Sequence, residues 1–215
     1  MSVEQRVREH FHADARRFDA IYEDDKTAFA RWVDDVWRGV VRRRFELTLD
    51  LLAPISGKTV LDVGCGSGRY CIAYAQRGAA RVVGVDFATA MIELAIEHSS
   101  RYGVADRCEF RAGLFPDAVP DGSFDASSAM GFFDYVEDPA PVIARMRGMT
   151  RSTMIMSFPK SREWRAPIRR LRFLASGCPL FLYSEARVKA ILSKAGVSAF
   201  DWIELDRDYV VAAHL

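Results

Sequence analysis

The sequence contains no CxxC pair, and its four cysteines, Cys65, Cys71, Cys108 and Cys178, form no cluster with metal-ligand spacing. The expectation is free thiols in a reducing cytoplasm, and no metal. A basic excess is also missing: 30 Lys and Arg face 29 Asp and Glu, for a formal net charge of +1. Proteins that hold nucleic acid by bulk charge are basic, so nucleic acid is not an expected partner. No apolar run reaches the ~18 residues of a membrane span. The opening MSVEQRVREHFHADARR has no apolar stretch of the secretory kind. There is no internal repeat and no low-complexity tract.

What remains is ordinary globular material, 50% hydrophobic and 27% charged over 215 residues, enough for one generous domain or one domain with an appendage. Glycine is nearly absent up to residue 53 and becomes frequent after Pro54. In the first region Phe29, Trp32, Val33, Val36, Val40 and Val41 recur at helical spacing, which predicts a helix from about Thr27 to Leu52 after a weaker one from Val3 to Tyr22. We expect 1–56 to be a helical extension or lid. From Lys58 onward short apolar strands alternate with helices. Predicted strands are Thr59–Val63, Arg81–Phe87, Cys108–Arg111, Phe124–Met130 and Thr153–Phe158. Predicted helices are Gly68–Arg77, Thr89–Tyr102, Pro139–Met149 and Ser184–Ala195, the last stopped by Gly196. A helix between successive strands implies a parallel, doubly wound sheet over 57–215. The last two strands, Ala199–Leu205 and Tyr209–Ala213, are separated by a turn too short for a helical crossover and must pair antiparallel. The fold class is therefore α/β, Rossmann-like and mostly parallel, with an antiparallel C-terminal hairpin.

The strongest local signal is VLDVGCGSG, Val60 to Gly68. Gly64, Gly66 and Gly68 lie where the chain leaves the first strand, at the carboxyl end where open α/β sheets bind ligands. A plain strand-to-helix turn would look similar. The spacing is G-x-G-x-G, not the G-x-G-x-x-G of a dinucleotide fingerprint. Asp62, two residues before the first glycine, would repel a pyrophosphate and attract an ammonium group, so a ligand with a cationic amino-acid moiety fits better than NAD. Asp86 ends the second strand, where a carboxylate can accept from both ribose hydroxyls or cap the following helix.

These stretches, VLDVGCGSG and VVGVDFATAM, resemble the first two motifs of class I S-adenosylmethionine-dependent methyltransferases, most closely the small-molecule branch of ubiquinone-biosynthesis type. The resemblance covers about residues 58–160 and extends loosely to the C-terminal hairpin. It implies S-adenosylmethionine as cofactor and S-adenosylhomocysteine as product. By position, Gly64, Cys65 and Gly66 would line the methionine part, with Gly68 also in the cofactor-binding loop, Asp62 would lie beneath its amino group, and Asp86 would hold the ribose. Phe87 would lie along ribose or adenine, and Met91, at the family's D-x-x-x-x-M position, would pack on adenine or simply be buried. The family's Gly-Asp pair after the third strand is missing; Arg111-Ala112-Gly113-Leu114-Phe115 stands there, and backbone near Leu114 would serve instead. PDGSFD, Pro120 to Asp125, resembles the lead-in to the fourth strand, after which Met130, Gly131 and Phe132 would face the sulfonium. Tyr22 could close over the cofactor.

Methyl transfer from a sulfonium is an in-line displacement that needs alignment and exclusion of water more than acid–base chemistry. Phe132, Phe133 and Tyr135 could supply aromatic faces to the cation or pack the core. A base serves only where the nucleophile must lose a proton; the candidates are His10 and His12 in the extension and Asp134 beyond the fourth strand. His98, read as facing outward, and His214 are expected to be bystanders. No Asn-Pro-Pro-Tyr, Asp-Pro-Pro-Tyr or Pro-Cys motif appears, which disfavours methylation of nucleobases, and no paired acids resemble a catechol-type magnesium site. The basic stretch KSREWRAPIRRLR, within an expected substrate-side insertion at 160–183, fits an anionic acceptor, contact with an acidic membrane surface, or a solvated helix face. The expected function is a cytoplasmic methyltransferase on a small-molecule, possibly anionic acceptor, with transfer to oxygen slightly favoured. The alternatives are a lipid or isoprenoid acceptor at a membrane surface, a cofactor-binding module without turnover, and an NAD-type oxidoreductase, which the loop spacing disfavours.

Overall fold

The computed structural model describes residues 42–161 and 180–215. Seven strands form one sheet: β1 (Thr59–Val63), β2 (Arg81–Asp86), β3 (Cys108–Ala112), β4 (Phe124–Ala129), β5 (Thr150–Pro159), β6 (Phe200–Glu204) and β7 (Asp208–His214). Their order is β3-β2-β1-β4-β5-β7-β6. The first five run parallel, and β7 enters antiparallel between β5 and β6. The order reverses between β1 and β4, so the crevice beyond their carboxyl ends is the topological switch point of the sheet. The mostly parallel α/β sheet and the antiparallel hairpin are as the sequence predicts.

The helices are α1 (residues 42–51), α2 (Arg69–Gln76), α3 (Thr89–Arg101), α4 (Pro139–Met149) and α5 (Glu185–Lys194). They cover both faces. On one side α1 and α2 bury Leu49, Leu52, Ile72 and Tyr74 against Val60, Val82 and Ile155. On the other, α4 and α5 bury Ile143, Met146, Val188 and Leu192 against Leu61, Val83 and Met154. Alternate residues of β1 thus feed opposite cores, as a period of two requires. α4 and α5 begin at Asp138 and Ser184, whose side chains accept from Ala140 N and Arg187 N.

Two expectations need correction. β5 begins at Thr150, three residues before the predicted start, directly from the end of α4. Its first residues are polar because Arg151 and Ser152 reach Asp125 on the neighbouring strand. The link from β3 to β4 contains turns and no helix; Pro116, Pro120 and Gly122 leave no uninterrupted run for one. The predicted helix ending at Leu52 is helical over 42–51; its earlier part, and the helix from Val3, lie outside the described residues.

Candidate functional site

The site is built at the carboxyl end of β1. Gly64, Gly66 and Gly68 all adopt positive φ, at 72°, 53° and 81°, where an L side chain is strained. Their surroundings differ. A Cβ on Gly64 would lie 2.5 Å from the Phe132 ring, and one on Gly68 would lie 2.9 Å from Ala95 Cβ and 3.0 Å from Phe110. Those two glycines make room for protein. A Cβ on Gly66 would meet nothing within 4 Å, so Gly66 presents bare backbone to open space.

The loop is tied to β2. Gly64 N and Cys65 N both donate to Val85 O, at 2.8 and 3.1 Å. Asp86 joins the loop to the next turn: its Oδ2 accepts from Gly66 N at 3.0 Å and its Oδ1 from Ala88 N at 2.9 Å. It is not the helix N-cap, a place taken by Ala88. Burial raises the Asp86 carboxyl above its ordinary range, and the two N–H donors oppose that rise. Each oxygen keeps a further lone pair for a ligand hydroxyl.

Asp62 lies beneath the loop, 1% exposed. Ser128 Oγ donates to its Oδ1 at 2.6 Å, and the Cys71 thiol lies 3.5 Å from its Oδ2. Burial pushes its pKa up to about 7, against the pull of those donors, and the charge of Asp86 adds to the rise. When ionised there, the carboxylate is a buried charge that a neighbouring cation would stabilise. Phe87, Ala90 and Leu94 are half-buried around buried Met91, which forms a small apolar cluster with Ala88. Leu114 is half exposed, next to Gly113, whose N–H donates to Asp86 O at 2.9 Å.

On the far side of the switch point, Met130 is buried, part of the same core cluster as Leu49 and Leu52, and Gly131 N donates to Ser157 Oγ. Phe133 is fully buried and stacks on Phe158 with centroids 4.9 Å apart; it packs the core, one of its two expected roles. Asp134 stands in a one-turn 3-10 helix, Phe133–Tyr135, and is buried. Tyr183 Oη lies 3.0 Å from Phe133 O and 2.9 Å from Val136 O, bracketing that turn.

Two contacts are invisible in the sequence. Arg44 of α1 pairs with Asp208 at 3.0 Å, the side chains being 16% and 8% exposed, and its guanidinium lies against Gly131. His98 is the second. It does not face outward as a bystander: it is half-buried, with Nδ1 3.2 Å from Ser67 O in the glycine loop. Helical periodicity places it beside the buried stripe of Met91, Ile92, Ala95 and Ser99, but only the fold brings that stripe to Ser67. His214 pairs with exposed Asp201 at the other end of the sheet. His10, His12, Tyr22, Cys178 and the basic stretch beyond Ser161 lie outside the described residues; Lys160 at its start bonds Glu204 and covers the Tyr209 ring. Among the described residues no group of His, Cys, Asp and Glu is arranged to hold a metal, and no helix is long and apolar enough to cross a membrane.

Comparison with known proteins bears on the same region. The model of a family described as a methyltransferase domain matches residues 55–196. A ubiquinone biosynthesis O-methyltransferase of Pseudomonas paraeruginosa is 42% identical over 96 residues, 44% of this chain and 40% of that protein. Its namesake from Neisseria meningitidis is 37% identical over 113 residues, 51% of this chain and 47% of that one. The chain thus spans less than half the length of these two curated relatives. A crystal structure of magnesium protoporphyrin IX methyltransferase from Synechocystis with bound SAH superposes with a TM-score of 0.79 over 98% of this chain and 99% of that one, at 20% identity; at that identity the likeness is one of fold. With the glycine loop, the strand-end acid and the reversed C-terminal hairpin in place, and the family model matching residues 55–196, the chain belongs to the methyltransferase domain family, in its class I, S-adenosylmethionine-dependent form.

Proposed function

We propose that this chain transfers a methyl group from S-adenosylmethionine to a small-molecule acceptor, with oxygen as the receiving atom. The observation that carries the reading is the open backbone of Gly66, flanked by a ribose-type carboxylate, Asp86, and underlain by a buried carboxylate, Asp62. These residues fit a sulfonium nucleoside: a Cβ at Gly66 would enter the cradle, and Asp62 lacks a cationic partner among its bonds in the described structure. The two curated relatives, named O-methyltransferases, support oxygen as acceptor.

In this reading Gly66 and Cys65 receive the methionine end, Asp62 balances its ammonium from below, and Asp86 accepts from the ribose hydroxyls. Phe87, Met91 and the backbone near Leu114 border the base. Met130 and Phe132 flank the reacting centre and exclude water. The bound cofactor supplies an already activated methyl carbon, and the chain supplies alignment. Asp134 is the proposed base within the described residues, for acceptors that must lose a proton. The free thiols of Cys65, Cys71 and Cys108 support action in the cytoplasm.

Titration calorimetry with S-adenosylmethionine, S-adenosylhomocysteine and NADH tests the cofactor: the first two should bind and the third should not. Gly66→Val and Asp86→Ala should each weaken binding strongly. A mass-shift screen of metabolites for the gain of one methylene then tests the acceptor. Saturable NADH binding, or wild-type affinity in both variants, would overturn the reading.

A further inference from the structure

Five contacts hold the glycine loop to the β2–α3 unit. Gly64 N and Cys65 N share Val85 O, and Gly66 N meets Asp86 Oδ2. Gly68 is pressed against Ala95 of α3. One turn further along that helix, His98 Nδ1 reaches Ser67 O at 3.2 Å. The Ser67–Gly68 peptide is therefore gripped at both of its polar atoms: its N–H by Cys65 O at 3.0 Å, and its carbonyl by His98. A peptide beside a glycine at φ 81° rotates at little steric cost, so both grips are needed to hold one orientation. A carbonyl oxygen has no proton to give, so Nδ1 must carry the proton of this bond.

We propose that His98 is a positioning residue: through the Ser67 carbonyl it holds the Gly66–Gly68 turn in the shape that receives the amino-acid end of the cofactor. The inference rests on the reading of the loop as a cofactor cradle.

The geometry gives a discriminating test. An asparagine places its side-chain amide nitrogen where Nδ1 stands; a glutamine places it where Nε2 stands. His98→Ala should raise the Kd and KM for S-adenosylmethionine about tenfold, on the scale of one lost hydrogen bond, with kcat at saturating cofactor and KM for the acceptor unchanged. His98→Asn should restore cofactor affinity to within about twofold, and His98→Gln should not. Long-range nitrogen–proton NMR spectra at neutral pH, with the resonance assigned by its loss in His98→Asn, should show a protonated Nδ1. Thermal melts of each variant accompany the titrations. A wild-type Kd in His98→Ala, equal rescue by Gln and Asn, or a ring protonated only on Nε2 would overturn the tether. If the wild-type protein itself binds neither S-adenosylmethionine nor S-adenosylhomocysteine, the reading of the cradle falls first, while the NMR result still decides the bond.

Discussion

At the scale of single residues, Asp62 makes the sharpest claim. Its carboxyl is raised from 3.8 to about 7 in the folded chain, so the folded state binds more protons than the unfolded one in between. The favourable contribution is complete below about pH 4 and is lost as pH rises towards 7. Thermal melts should therefore show the wild-type protein losing stability from pH 5 to pH 8, and Asp62→Asn losing less over the same window; equal slopes would refute the assignment. The three loop glycines should also separate by what surrounds them. Gly66→Ala meets open space and should cost about 1 kcal/mol in urea unfolding, the strain of a left-handed backbone alone. Gly64→Ala meets the Phe132 ring and should cost roughly 1–3 kcal/mol more, most of it recovered when Phe132→Ala is added. The sequence announces all three glycines alike. Only the packing tells which of them faces open space.

At the scale of elements, legibility follows how local the cause is. β1 and β2 were readable as apolar, β-branched runs, and α3 as a helix with Met91, Leu94 and Ala95 on one side, where the buried stripe is Met91, Ile92, Ala95 and Ser99. The polar start of β5 was not, because Ser152 and Arg151 are held in the strand by distant partners, Asp125 and, for Ser152, Leu215 N. Nor could periodicity reveal His98 on Ser67, 31 residues apart, or Arg44 on Asp208, 164 apart. The 3-10 turn carrying Asp134 has a similarly remote support in Tyr183, whose hydroxyl lies between two carbonyls of that turn. Tyr183→Phe leaves those carbonyls short of a buried donor and should cost about 1–3 kcal/mol of stability, measured by chemical denaturation. An unchanged midpoint would mean that the hydroxyl is dispensable to the turn.

At the scale of the whole molecule, the Arg44–Asp208 pair joins α1 to the last strand across the switch point. Two charges so poorly exposed are costly to separate: Asp208→Ala should destabilise the chain by about 3–5 kcal/mol, while Arg44→Met with Asp208→Leu should be far milder than the sum of its parts. Additive losses in that double-mutant cycle would show that the pair is not coupled. The hairpin that carries Asp208 has a wider consequence. Among the described strands β6 pairs only with β7, and β7 lies between it and β5. The outer strand therefore takes its backbone ladder from β7, with the Lys160–Glu204 bond as a side-chain tie to the end of β5, and cannot complete its pairing before β7 has docked. Its amides should exchange with solvent no more slowly than those of β7.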